Sequence, residues 1–200
     1  MIHPHTELRY VNEDKGLGII ATSFIPKGTL TYVKDKLEIE IGPDDPRLKD
    51  PLLNKIIETY SFIDERGIRI VSWDHAKYVN HCCHCNTMST GYGFEMAIRD
   101  IQTGEEITDE YGMFNFTYNL KLKCQKSNCR KTVYSSDLQN YYTEWDKQIK
   151  SALHYFNKVS QPLLPILEKT VLMDVQNYIT TGQNYKSVLS LVPEGKIRHS

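Results

Sequence analysis

The sequence has no apolar run near the ~18 residues that a membrane-spanning helix requires, so no membrane segment is expected. It also lacks internal repeats and low-complexity tracts, which excludes solenoids and Pro- or Gly-rich linkers. No dense Lys/Arg stripe is present, and direct nucleic-acid binding is not expected. The opening segment, Met1-Ile-His-Pro-His-Thr-Glu7, has neither a basic nor an apolar signal region. An intracellular location, cytoplasm or nucleus, is therefore the expectation. Cysteine is sparse and odd in number: five in all, three of them within Cys82–Cys85. Adjacent cysteines make poor disulfides, so reduced thiols are expected and metal binding becomes a live reading.

What is present fits one soluble domain with a modest extension: 200 residues, 24% charged and 40% hydrophobic. The net charge of −1 conceals an asymmetry. Residues 1–120 hold 12 basic against 19 acidic side chains, and residues 121–200 hold 12 against 6. An acidic front half would steer a basic peptide, although solvated charge on two separate surfaces is the plainer reading.

Short strand signals crowd the first 120 residues: Leu8–Val11, Leu17–Ile25, Thr29–Val33, Leu37–Ile41, Phe94–Arg99 and Glu106–Asp109. Ser61–Ile63 and Ile68–Ser72 read as a hairpin, and Lys49–Tyr60 as a short helix. After Ser135 the period changes. Asp137 is placed to cap a helix in which Leu138, Tyr141, Tyr142, Trp145, Ile149, Leu153 and Phe156 share a face. Pro162 and Pro165 interrupt it, and Ile166–Ile179 suggests a second helix ending near Gly182. The expected class is mainly β with an α extension.

Two segments concentrate reactive groups: Lys77-Tyr-Val-Asn-His-Cys-Cys-His-Cys-Asn86 and Gly104-Glu-Glu-Ile-Thr-Asp-Glu-Tyr-Gly112. Neither reads as core-building sequence. Gly16-Leu-Gly-Ile-Ile-Ala21 matches a dinucleotide fingerprint, with Glu38 about twenty residues on. That fingerprint must open a helix, and here Pro26 and Gly28 follow a β-rich run, so the dinucleotide reading fails. Cys124 and Cys129, in a polar segment, would with one or two thiols near residue 83 make a tetrahedral zinc site, whereas buried small hydrophobes are the alternative for Cys82–Cys85.

Taken in order, Lys15-Gly-Leu-Gly-Ile-Ile-Ala21, Ile25-Pro-Lys-Gly-Thr29, Lys77–Asn86 and Gly104–Gly112 resemble the SET-domain family of protein lysine methyltransferases over residues 8–115. The resemblance implies a SET fold of small antiparallel sheets with a pseudoknot over residues 1–120, a post-SET-like segment at 121–135 and a helical extension at 136–200. It implies S-adenosylmethionine bound against Gly16, Leu17, Gly18, Asn80, His81 and Tyr111. It also implies a catalytic Tyr111, a channel residue at Tyr60, and a protein substrate bearing the target lysine, a histone or another basic protein. The metal site it implies is Cys83, Cys124 and Cys129 on zinc. A catalytically silent interaction module on the same fold is the alternative.

Several positions depart from the family pattern. Cys82 stands where serine is usual, Cys85 where proline is usual, and Leu122 takes the place of a post-SET cysteine. A fourth zinc ligand would then have to be Cys85, Cys82 or His84. Asp109 replaces an aromatic residue that in the family influences methylation state, and a carboxylate there would bind water or the ammonium, or turn away. The apolar stripe of the C-terminal helices is expected to pack on the core, with dimerisation or substrate docking as alternatives.

Overall fold

The structure is a computed structural model that describes residues 1–122 and 127–193. It contains strands β1 (Thr6–Asn12), β2 (Gly16–Ala21), β3 (Leu30–Val33) and β4 (Ile39–Ile41), then helix α1 (Pro51–Tyr60). Strands β5 (Ser61–Ile63), β6 (Arg69–Val71), β7 (Asn80–His81), β8 (Thr87–Ser89), β9 (Phe94–Ala97) and β10 (Glu106–Asp109) follow. The short pair β11 (Leu120–Lys121) and β12 (Thr132–Val133) precedes helices α2 (Asp137–Leu153) and α3 (Lys169–Thr181). This is the mainly β arrangement with a helical C-terminal segment expected of a SET fold.

Local chemistry sets the boundaries. The β1–β2 turn forms because Asn12 Oδ1 accepts the amides of Asp14 and Lys15, both at 3.0 Å, and Gly16 supplies a φ of +70°. Helix α1 starts where the Asp50 carboxylate accepts the amides of Leu52 and Leu53 and Pro51 presets φ. Asp137 does not cap α2: Ser136 occupies that position, and the Asp137 carboxylate is instead drawn to Arg130. The α2 stripe ends at Leu153, and Phe156 reaches the core from a separate single turn. Gly182, at φ +72°, closes α3 as foreseen.

Strand order places the two reactive segments side by side. β10 pairs antiparallel with β2 on one edge and parallel with β7 on the other, in the sheet β1-β2-β10-β7. The register Thr108↔Asn80 and Asp109↔His81 continues as Cys82 N donates to Asp109 O and Asn86 N to Thr108 O. Asn86 locks the crossing: its Oδ1 accepts Thr108 N at 2.8 Å while its Nδ2 donates to Glu106 O at 2.8 Å.

The C-terminal helices belong to the same core. Leu138, Trp145, Ile149, Leu153, Phe156 and Val175 cluster with Leu30, Phe94 and Met96 of the sheet β3-β9-β8. Val171, Leu172, Tyr178 and Ile179 of α3 pack half-buried against this core, as expected of the apolar stripe. Among the described residues no helix is long and apolar enough to cross a membrane.

Candidate active site

Gly18 permits the closest approach in the site. A Cβ there would lie 2.6 Å from Val11 Cγ2 and 2.8 Å from Asn80 Nδ2. The Asn80 amide instead fits against the bare backbone, donating to Leu17 O at 3.0 Å and to Glu106 Oε1 at 2.9 Å. Lys15 completes this edge through Glu106 Oε2. Leu17, Gly18 and Asn80 therefore converge at one end of the sheet, where β2 starts at Gly16.

His81 links that edge to Tyr111. Its Nδ1 accepts the Tyr111 amide at 3.1 Å, so the neutral ring carries its proton on Nε2, which faces Cys83 Sγ at 3.3 Å. Burial first, and then the Arg130 charge, lowers the His81 pKa to about 4. The Tyr111 hydroxyl donates to Val79 O at 2.6 Å, and burial foremost raises its pKa. Phe114 and Phe116 hold the ring at centroid distances of 4.9 and 5.9 Å.

A shift of this size in a histidine makes stability depend on pH. The unfolded ring, near pKa 6.5, binds more protons than the folded ring between pH 6.5 and about 4. The contribution is complete above pH 6.5 and is lost as the pH falls toward 4. His3, lowered to about 4 mainly by burial, acts in the same direction. Urea midpoints are expected to fall between pH 7 and pH 5, and His81→Gln should flatten that slope; an unchanged slope would refute the assignment.

The Tyr111 hydroxyl lies at a cavity of about 60 Å³ lined by Tyr60, Phe62, Ser72, Val79, Glu95, Phe114 and Phe116. Tyr60 is thus a wall residue, set edge-on to Tyr78 at 5.4 Å. A neighbouring cavity of about 100 Å³ shares Tyr32, Phe62, Glu95 and Phe114 with it. In the first cavity the rings of Tyr32, Tyr60, Phe62, Tyr111, Phe114 and Phe116 stand beside the polar groups of Ser72, Lys77 and Glu95, which suits an aliphatic chain ending in a polar group.

The thiols separate into two sets. Cys82 and Cys85 lie in the apolar core, and burial foremost holds the Cys85 thiol well above its usual range. Their burial among apolar side chains is that of small hydrophobes. Cys83 and Cys129 place their sulfurs 3.7 Å apart, close to the ~3.8 Å edge of a tetrahedral site with zinc–sulfur bonds near 2.3 Å. Cys124 lies outside the described residues, and among those described no cluster of three or more metal-binding side chains occurs. His84 Nε2 meets Asn128 Nδ2 at 2.8 Å, one residue from Cys129.

Sequence reasoning missed three supporting acids: Glu106, which holds Asn80; Glu110, which is paired with Arg130; and Glu95. Glu106 and Glu110 stand inside a motif already singled out. Glu95 had no signal beyond interrupting an apolar strand. Gly112, noted only as following the tyrosine, is required because a Cβ there would lie 2.7 Å from Trp145 Cη2.

A family model described as SET domain matches residues 16–112. No match was found among curated proteins. The chain is similar to the crystal structure of KRYPTONITE in complex with mCHG DNA and SAH, at 20% identity and a TM-score of 0.45, covering 64% of this chain and 29% of that one. The same values hold for KRYPTONITE in complex with mCHH DNA, H3(1-15) peptide and SAH. The methyltransferase domain of human Histone-lysine N-methyltransferase SETMAR gives 16% identity and a TM-score of 0.44, covering 67% of this chain and 58% of that one. The chain thus spans about three tenths of the first two relatives and under two thirds of the third.

Proposed function

Through residues 16–112 the chain belongs to the SET-domain family, and on that premise we propose that it is an S-adenosylmethionine-dependent protein lysine N-methyltransferase. The observation that carries this reading is the juxtaposition of two half-sites on one sheet. Asn80 of β7 joins the backbone cradle through Leu17 O, and its neighbour Val79 accepts the Tyr111 hydroxyl, whose residue lines the aromatic cavity. S-adenosylmethionine, when bound, supplies an activated methyl group on a sulfonium.

The chain's own residues then have positioning tasks. Gly18 and Asn80 hold the cofactor edge, and His81 fixes the Tyr111 backbone through its Nδ1. Tyr60, Phe62, Phe114 and Phe116 guide an aliphatic side chain and exclude water. The Tyr111 hydroxyl and Val79 O orient the amine. The proposed substrate is a lysine in a protein, a histone or another basic protein, to which the acidic front half of the chain is complementary.

Calorimetry with S-adenosylmethionine and transfer of its labelled methyl group to mixed core histones test the reading. Saturable binding with label in lysine supports it. Binding without turnover on any basic protein would favour the interaction module, and no binding at millimolar cofactor would sink the proposal. Asn80→Ala is expected to weaken cofactor binding about tenfold, the scale of one lost hydrogen bond to a polar ligand.

We also propose one zinc ion held by Cys83, Cys129 and Cys124, where it would tie the 121–135 segment to β7. The sulfur spacing fits such an ion. Metal analysis of purified protein should give one zinc per chain, falling with Cys129→Ser; a metal-free wild type with an unaltered melting temperature in chelator would overturn it.

A further inference from the structure

Glu95 interrupts an apolar strand for a reason that the knot of strands reveals. Its neighbours Phe94 and Met96 enter the core, so alternation turns the Glu95 carboxylate to the opposite face, beside Tyr32 and Ser89. That face lines both cavities. Glu95 is half-buried, as Tyr111 is, and both line the first cavity.

Behind Glu95 stands Asp109, wholly buried and two residues before Tyr111. Asp109 Oδ1 accepts the Glu110 amide at 2.7 Å. Asp109 Oδ2 is buried without a hydrogen bond of ordinary geometry, although the Glu95 carboxyl adjoins it. Burial foremost, and then the charge of Glu95, pushes Asp109 far above the carboxylate range. Burial raises Glu95 as well, while its polar contact with Asp109 lowers it. Burial thus raises both adjoining carboxyls, and a proton on Asp109 Oδ2 would make it a donor toward Glu95.

Nearby cations are already committed. Lys77 Nζ is spent on the carbonyls of Ser72, Trp73 and Asp74, at 3.3, 3.4 and 2.6 Å. Lys34 pairs with Glu40 and Asp64, and the amino terminus with Asp35 and Glu38. The other titratable groups that act on the pair, Tyr32, Glu38, Cys85, Glu110 and Tyr111, are neutral or acidic. Lys77 also lines the cavity and keeps its charge, but its Nζ is directed at those carbonyls, and Glu95 has no ion-pair partner among the described residues.

We propose that Glu95, held by Asp109, is the amine receptor of this cavity: it binds the substrate ammonium and takes one of its protons. This inference rests on the methyltransferase reading above. In the step, an N–H bond of the ammonium breaks and its electron pair stays on nitrogen. An O–H bond forms on Glu95, and the neutral amine turns about its Cε–Nζ bond to face the Tyr111 side of the cavity. Glu95 returns the proton to water once the product leaves. The free carboxylate is the competent form, so activity is lost as the pH falls through its raised pKa.

Carboxyl ¹³C NMR of the wild type tests this without turnover. Glu95 should titrate above ordinary glutamates, and n-butylammonium should lower its pKa; in Glu95→Gln the amine should cause no carboxyl shift. No butylammonium effect on either carboxyl would overturn the proposal. With core histones and labelled cofactor, Glu95→Gln should lose about 100-fold in kcat/KM, the scale of a lost acid–base group. Its cofactor affinity by calorimetry should remain that of the wild type. Asp109→Asn, which keeps an N–H donor toward Glu95, should retain several-fold more activity than Asp109→Leu, whose acid limb moves to higher pH. Activity of Glu95→Gln within threefold of an active wild type would sink the receptor role alone. A wild type that neither binds cofactor nor methylates sinks the broader reading, while the NMR result still decides this one.

Discussion

Tyr111→Phe should lower kcat by about 10²- to 10³-fold, the range for removing one preorganised polar group from a site of charge redistribution. Cofactor affinity should change little, because the Gly18–Asn80 edge makes no contact through the Tyr111 hydroxyl. The ring stays packed between His81, Phe114 and Phe116, so the cavity keeps its shape. Losing the 2.6 Å bond to Val79 O should cost about 1 kcal/mol of stability. Single-turnover kinetics separate the two effects: a slow chemical step with wild-type cofactor binding supports a positioned hydroxyl. Equal rates in both proteins would remove Tyr111 from the chemistry.

The elements legible in the sequence are those whose signals are local. Asn12 and Gly16 announce the first turn, and three- and four-residue spacing announces α2, while the helix expected over Lys49–Tyr60 begins at Pro51 behind the Asp50 cap. Overreach occurred where tertiary structure ends an element. The apolar run past Ala21 leaves the sheet, and Ile25 makes only a single bridge to Ile101. Ile166 sits in a separate turn and α3 begins at Lys169.

Strand β7 was not legible as a strand. Asn80 and His81 have little intrinsic β preference, and they are extended because β10 pairs with them across the crossing. Gly16–Gly18, Asn80, His81 and Tyr111 were singled out by motif order, and the structure joins Asn80 to Leu17 and His81 to Tyr111. Glu95 was invisible for a different reason. An acid alternating with Phe94 and Met96 reads as solvent-facing, and only the closing of β3, β9 and the Phe114 segment converts that outward face into a cavity wall. Asp109 showed as a departure from pattern, but its meaning needed Glu95 beside it.

Arg130→Ala should have the largest effect on folding, about 3–5 kcal/mol, because it strands a buried carboxylate. Glu110 is 2% exposed and its Oε1 meets Arg130 Nη2 at 2.5 Å while also accepting the Gly112 amide at 2.8 Å. Arg130 Nη1 lies 3.2 Å from Asp137 Oδ2, without hydrogen-bond alignment, so Glu110 is the stronger partner. The guanidinium also stacks over Tyr141 and Trp145 of α2, at 5.2 and 5.8 Å, and so fastens the helical extension to the residue before Tyr111. Burial already raises the Glu110 pKa against the opposing pull of Arg130, and removing Arg130 raises it further. A carboxyl whose folded pKa exceeds its unfolded value is penalised as the pH rises through the folded value. The deficit of Arg130→Ala should therefore shrink on acidification from pH 7.5 to pH 5, where an exposed surface ion pair would leave little deficit at either pH. Adding Glu110→Gln should recover much of the loss, since a neutral amide is far cheaper to bury than an unpaired charge. Denaturant unfolding of the two variants at both pH values decides it: a deficit under 1 kcal/mol, or one that does not change with pH, would show that the helical extension is held without this ion pair.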